Sequence, residues 1–88
     1  MKIRDGFLLR EIADTHVVVP VGERVIDFKG MMILNEIGSF IWIKLQDECT
    51  FDEILDSIVE NYEVDVETAR VDLDKFLNSM RENEALDE

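Results

Sequence analysis

The segment from Met31 to Leu45 constrains the fold most, because a strand pattern changes there into a helical pattern with almost no loop. The apolar run at residues 31–34 predicts a strand, and Asn35 after it is a preferred helix N-cap. Apolar residues then recur at helical spacing along one face, at Ile37, Phe40, Ile41 and Leu45. Trp42 and Ile43 lie off that face. We expect a strand and a helix that share one core, with the helix either covered on two sides or presenting a docking surface.

The length of 88 residues predicts one small domain spanning residues 1–88, with little room for a deep catalytic pocket. The single cysteine, Cys49, cannot form an internal disulfide, and residues 1–6 lack the apolar stretch of a secretion signal. No run approaches the roughly 18 apolar residues of a membrane span. We therefore expect a soluble, cytoplasmic protein.

The net charge of −12 is unevenly distributed along the chain. Residues 1–46 carry six acidic and six basic side chains, whereas residues 47–88 carry fifteen acidic and three basic ones. Binding to a polyanion depends on basic side chains, so the acidic half is unsuited to nucleic acid. A solvated helix surface explains this charge more simply than a docking site for a basic partner does.

The first third of the chain carries β-strand patterns. Residues 7–12 and 15–21 are rich in apolar and β-branched residues and flank Ala13-Asp14, which predicts a hairpin. Residues 24–28 form a third extended run, and residues 31–34 either continue it past a bulge or make a fourth strand. Pro20 cannot donate to a ladder, which places it at a strand end or a sheet edge.

Two further helices are predicted after residue 49. Thr50 and Glu53 make a capping box, and the helix behind it carries a regular apolar stripe. The members of this stripe are Phe51, Ile54, Leu55, Ile58, Val59 and Tyr62. Asp65 is the predicted N-cap of the last helix, which ends near Asn83 and buries Val66, Ala69, Leu73, Phe76, Leu77 and Met80. Ala85 and Leu86 could return against the sheet.

This order of elements predicts an α+β fold in which an N-terminal antiparallel sheet of three or four strands precedes three helices. Such an order suits a winged helix-turn-helix that begins with its sheet. Winged-helix proteins often bind DNA, but the second helix has acids and no base, and the third is slightly acidic. A DNA-binding transcription regulator is therefore the alternative, and not the preferred, function.

The sequence offers little for catalysis or for binding a metal or cofactor. His16 is a single strand histidine, and one histidine cannot make a multi-ligand zinc site. Cys49 lies in the acidic turn of residues 46–50, where neighbouring negative charge would weaken it as a nucleophile. The four glycines are too dispersed to cradle a phosphate. We expect a protein that is not an enzyme and that needs neither metal nor cofactor.

An exposed strand edge is the most specific candidate for a binding surface. Such an edge presents unpaired amides and carbonyls, which an extended peptide can pair with. Residues 25–28 or residues 31–34 would supply this edge. Trp42 is expected to pack under the sheet, although Trp42 and Ile43 could also face a partner enzyme or a second copy in a homodimer.

Several short motifs in a fixed order give the chain a family resemblance. They are Leu34-Asn35, Gly38, Ile41-Trp42, Thr50-Phe51-Asp52-Glu53-Ile54, Tyr62-Glu63-Val64-Asp65, Val71-Asp72 and Phe76-Leu77. Over residues 7–86 the chain resembles the pyrroloquinoline quinone biosynthesis protein D (PqqD) family, whose members are also known as RiPP recognition elements. The resemblance implies a three-stranded sheet and three helices in a winged-helix-like arrangement.

The resemblance also implies a function. Members of the family are not enzymes, and they bind the leader of a ribosomally made precursor peptide. The leader adds as a strand beside the third strand and lies against the third helix, and it is presented to a modifying enzyme, often a radical SAM protein. Carried onto this chain, the implied peptide-binding residues are Val25, Ile26, Asp27, Phe28, Met31, Ile33, Arg70, Leu73, Asp74 and Leu77. The resemblance leaves open which of the two runs is the contact strand, and it implies neither a nucleic-acid nor a membrane partner.

Overall fold

A computed structural model describes residues 1–22 and 32–88 of the chain. Its strands are β1 (Lys2–Ile3), β2 (Phe7–Ile12), β3 (Thr15–Pro20), β4 (Met32–Leu34) and β5 (Leu86–Asp87). Its helices are α1 (Glu36–Lys44), α2 (Phe51–Asn61) and α3 (Val66–Glu82). The predicted α+β class, with an antiparallel three-stranded sheet before three helices, is confirmed. The extended run at residues 24–28 and Met31 lie outside the described residues.

Strands β2, β3 and β4 form the larger sheet in that order, and both pairings are antiparallel. Ala13 and Asp14 connect β2 to β3 with φ angles of +50° and +66°. Positive φ at both central residues is the conformation of a two-residue type I′ turn, whose twist matches that of the strands. Opposite β4, Val17 pairs with Ile33 and Val18 with Met32.

One face of this sheet packs against the helices. Phe7, Val18 and Leu34 belong to the buried core, whereas Leu8, Ile12 and Ile33 are exposed. The helices contribute the largest fully buried side chains, which include Ile41, Leu45, Ile54, Ile58, Leu73, Leu77 and Met80. The stripes predicted for α2 and α3 therefore face the core along most of their length, but Val59 and Val66 are exposed. Val66 is exposed because it occupies the first position of α3, before the helix packs against the core.

The predicted caps are present on all three helices. The Asn35 side chain accepts a hydrogen bond from the Gly38 N–H at 2.7 Å, and Thr50 and Glu53 form both bonds of a capping box. Asp65 accepts from the Thr68 N–H at 2.7 Å. The Thr50 backbone N–H, followed by the Thr50 side chain, holds the pKa of the Glu53 carboxyl below its ordinary value. These caps fix where each helix starts, and Asn35 starts α1 immediately after β4.

The sequence allowed the C-terminal segment to return against the larger sheet. In the structure this segment pairs instead with the N-terminus. Strands β1 and β5 form a separate antiparallel sheet in which Ile3 lies opposite Leu86. α3 ends in a turn in which Glu84 has a φ of +56°, and the Ala85 N–H donates to the Met80 carbonyl at 2.8 Å. This turn reverses the chain toward β1. Strands of two residues carry no periodicity, which is why the sequence did not reveal this pairing.

Candidate functional site

Strand β4 has one strand partner in the described part of the chain. It pairs with β3, and it is the last strand in the order of the larger sheet. Ile33, in the middle of β4, has 72% of its surface exposed although it is a large apolar residue. An edge strand with an exposed apolar side chain can pair with another extended chain. The sequence predicted the edge at residues 25–28 or at residues 31–34; residues 32–34 form β4, and residues 25–28 lie outside the described residues.

A groove of about 270 Å³ runs between β4 and α3. Its floor consists of side chains that belong to the core, namely Leu34, Ile41, Phe76 and Met80. Met32 and Ile33 line it on the β4 side, and Ile37 lines it on the α1 side. The groove thus places an apolar floor beside a strand edge, an arrangement that suits a peptide with alternating side chains.

Gly38 contributes to the depth of the groove because it has no side chain. A Cβ atom at this position would lie 3.1 Å from Asn35 Oδ1, 3.4 Å from Leu34 Cβ and 3.6 Å from Phe76 Cδ2. The distance to Asn35 Oδ1 is shorter than an ordinary van der Waals contact, and the distance to Leu34 Cβ is at the lower limit of one. Gly38 therefore allows the first turn of α1 to sit closely against β4 while its own N–H binds the Asn35 cap.

The α3 side of the groove is polar. Asp72, Lys75 and Ser79 line it, and Asn35 adds a polar side chain at the start of α1. The two charged residues, Asp72 and Lys75, carry opposite charges three positions apart, so they lie on neighbouring parts of the same helix face. Neither forms a salt bridge within residues 1–22 and 32–88. Both charges are therefore available to a molecule in the groove.

The structure separates the residues that the family resemblance implied as peptide contacts. Ile33 lines the groove, but Leu73 and Leu77 are fully buried in the core, and Arg70 and Asp74 are exposed without lining it. Val25, Ile26, Asp27, Phe28 and Met31 lie outside the described residues. The predicted peptide contacts stay a prediction; the α3 residues that line the groove are Asp72, Lys75, Phe76, Ser79 and Met80.

The groove-facing polar residues of α3 have a regular spacing in the sequence. Asp72, Lys75 and Ser79 follow one another at spacings of three and four along the helix. This polar row lies next to the apolar stripe that contains Phe76 and Met80, which belong to both the core and the groove. A stripe of apolar residues shows which side of a helix faces the core. The groove is recognised only when the position of its opposite wall, β4, is known.

Trp42 packs in the core, as expected, and not on the surface. Only 2% of it is exposed, and its ring meets Phe7 edge to face at a centroid distance of 6.4 Å. Ile43, the next residue, is 60% exposed and does not line the groove. Helix α1 is therefore covered on two sides, by the sheet and by the other helices, while Ile43 remains on its outer face.

The described residues show no grouping of the kind that catalytic metals need. Within ranges 1–22 and 32–88, no group of three or more His, Cys, Asp or Glu side chains could hold a metal ion. The polar side chains in the groove are an amide, a hydroxyl, a carboxylate and an ammonium group. In the described ranges, no helix has the length and apolarity that crossing a membrane requires.

Comparison with known proteins gives one family and two similar solved structures. A sequence model of the family described as "Coenzyme PQQ synthesis protein D (PqqD)" matches residues 15–86. A structure described as "TbiB1 in Complex with the TbiA(beta) Leader Peptide" is 31% identical in sequence, with a TM-score of 0.76 over 99% of this chain and 95% of that one. No curated protein matches the chain.

The second structure supports the fold. It is described as "Lasso peptide synthetase B1 complexed with the leader peptide", and its sequence is 18% identical to this chain. The TM-score is 0.71, over 93% of this chain and 91% of that chain. At this identity the likeness concerns the arrangement of strands and helices, which therefore recurs in a protein of very different sequence.

Proposed function

Because the chain belongs to the Coenzyme PQQ synthesis protein D (PqqD) family, we propose that it binds the leader of a ribosomally synthesised precursor peptide by strand addition to β4. It acts as a non-catalytic, cytoplasmic adaptor of one domain that presents the precursor to a modifying enzyme of the radical SAM type. The observation that carries this proposal is the groove beside β4, with its apolar floor and its polar α3 wall. The TbiB1 structure, which is 31% identical to this chain, contains a leader peptide.

Strand addition explains both affinity and selectivity. Main-chain hydrogen bonds between β4 and the leader do not depend on the leader's side chains, so they supply affinity for many sequences. Alternate leader side chains point into the groove, where the buried floor residues Ile41, Phe76 and Met80 can cover apolar groups. Burial of such groups makes leaders with apolar residues at alternate positions bind more tightly.

The short length of β4 suits presentation of a longer chain. Three residues of β4 span only about 10 Å of an added strand, so a ladder with β4 holds a short part of the leader. The rest of the precursor remains outside the groove, where a second protein can act on it. An adaptor of this kind needs no catalytic residues of its own.

The proposal is tested by fluorescence polarisation with a labelled leader peptide from a precursor gene adjacent to the gene for this protein. We expect saturable binding that the unlabelled leader reverses and that a scrambled peptide of the same composition does not. Parallel titrations use a labelled DNA duplex at low salt. Absence of binding by every adjacent leader, or binding of the duplex but not of the leader, would overturn the proposal in favour of another function.

A further inference from the structure

Lys75 has a special position among the basic residues of the acidic half of the chain. Residues 47–88 contain three bases, Arg70, Lys75 and Arg81. The Arg81 guanidinium donates two hydrogen bonds to the Glu88 carboxylate, both at 3.0 Å, and Arg70 does not line the groove. Lys75 alone of these three lines the groove, and the described structure gives it no ion-pair partner.

Asp72 carries the opposite charge and lies near Lys75 on α3. The two residues are three positions apart, which is about 4.5 Å along the helix axis. Alternate residues of an extended peptide, which point to the same side, are about 6.7 Å apart. The long, flexible Lys75 side chain can span the difference. Two side chains of a strand in the groove, two positions apart in its sequence, can therefore meet Asp72 and Lys75.

A charge pair of this kind would fix the register of a bound strand, that is, which of its residues lies opposite which residue of β4. Main-chain ladder bonds repeat every two residues, so a bound strand can slip by two positions with little loss unless its side chains fix it. An apolar floor accepts several apolar side chains and discriminates weakly between registers. Opposite charges at two points of the wall distinguish both the register and the direction of the strand, because slippage or reversal brings like charges together.

We propose that Asp72 and Lys75 select the leader by charge, with a basic leader residue facing Asp72 and an acidic leader residue two positions away facing Lys75. This inference rests on the proposed function, since it concerns the peptide bound in the same groove. It names the substrate class more narrowly: extended peptides with two opposite charges on the side that faces α3.

Exchange of the two charges provides the test. The double variant Asp72→Lys with Lys75→Asp reverses the order of the two charges on the groove wall but keeps the net charge of the protein. The matched control is Arg81→Glu with Glu88→Arg, which exchanges the charges of an exposed ion pair that does not line the groove. An mRNA-displayed library of randomised twelve-residue peptides is selected on each immobilised full-length protein, and circular dichroism verifies that each variant is folded.

The wild type and the control are expected to enrich peptides with a basic and an acidic residue two positions apart in one order, and the Asp72/Lys75 exchange should enrich the reverse order. For resynthesised peptides we expect affinities that differ by about tenfold between the matched and the reversed order, as two pairs that change from attraction to repulsion would give. The same order on all three proteins, no charge preference, or a reversal by the control exchange would overturn the proposal. If no peptide is enriched over beads without protein, the proposed function itself fails.

Discussion

The edges of the two sheets differ in how their backbone groups are used. On one side of β1 lies β5, and the Ile3 N–H donates to the Leu45 carbonyl at the end of α1, at 2.8 Å. The Arg4 N–H donates to the Ala85 carbonyl, also at 2.8 Å. Strand β4, in contrast, pairs with β3 and borders a groove. The chain thus joins its two ends through β1 and β5, which we call the closed edge. Strand β4, which we call the open edge, has β3 as its one strand partner within residues 1–22 and 32–88.

The same difference is seen in the side chains. Leu86 of β5 is buried, whereas Ile33 of β4 is mostly exposed. A buried apolar residue stabilises the fold, and an exposed one beside a groove can only contribute once a ligand covers it. The closed edge therefore serves stability, and under the proposed function the open edge binds the leader.

The largest expected effect is on stability at the closed edge. Leu86→Ala should lower the free energy of unfolding by about 2–5 kcal/mol, because it removes a buried side chain and leaves a cavity. Ile33→Ala should lower it by no more than about 0.5 kcal/mol, because the side chain is already largely in water. Urea denaturation of both variants measures the difference. Equal losses of stability would show that β4 is as much part of the core as β5 is.

The next effect concerns binding at the open edge. Ile33→Ala should weaken leader binding about fivefold, which corresponds to about 1 kcal/mol of lost apolar contact. Ile43→Ala is the matched control, since Ile43 is similarly exposed but lies on α1 away from the groove. Titration calorimetry with one leader peptide compares the two. A loss of affinity in the Ile43 variant alone would place the peptide on the outer face of α1.

A smaller effect should separate two helix caps. Asn35→Ala and Thr50→Ala each remove the side-chain acceptor of an N-cap and should each cost about 1 kcal/mol of stability. Only Asn35 lines the groove, so only its variant should also weaken leader binding. Thermal unfolding and leader titration of both variants provide the measurement. Weaker binding by both would mean that affinity follows overall stability and not the groove.

The smallest effect is the pH dependence at the closed edge. Hydrogen bonds from the Arg81 guanidinium hold the pKa of the Glu88 carboxyl below its ordinary value of 4.5. A lowered pKa stabilises the folded state fully above pH 4.5, and this contribution is lost as the pH falls through the folded-state pKa.

Glu88→Gln should therefore lower the melting temperature slightly at pH 6, and the difference from the wild type should shrink as the pH falls below 4.5. Leader binding at pH 7 should not change, since Glu88 does not line the groove. A difference in melting temperature that grows on acidification would contradict this account of the Arg81–Glu88 pair.

Much of the fold could be predicted because its signals are local. The caps at Asn35, Thr50 and Asp65 and the helical stripes behind them depend on residues three or four positions apart. The hairpin turn at residues 13–14 follows from the two strand patterns beside it. These features are nearly independent of the rest of the chain, so a single sequence is enough to find them.

The remainder depends on contacts between distant parts of the chain. The pairing of Ile3 with Leu86 joins the two ends of the sequence, and two-residue strands leave no pattern. The peptide contacts predicted on α3 include Leu73 and Leu77, which face the core, while Asp72 and Lys75 line the groove. Which side of a helix borders a groove is decided by where β4 lies against it, and this is a tertiary property.

Amide hydrogen exchange of the complex tests the central claim most directly, because it reports on both edges in one experiment. The full chain is measured by NMR with and without a leader peptide. Strand addition predicts that outward-facing amides of β4 exchange at least about tenfold more slowly with the peptide bound, while the amides of Ile3 and Arg4, already bonded within the chain, are unchanged. A bound leader that leaves exchange along β4 unaltered would contradict the claim.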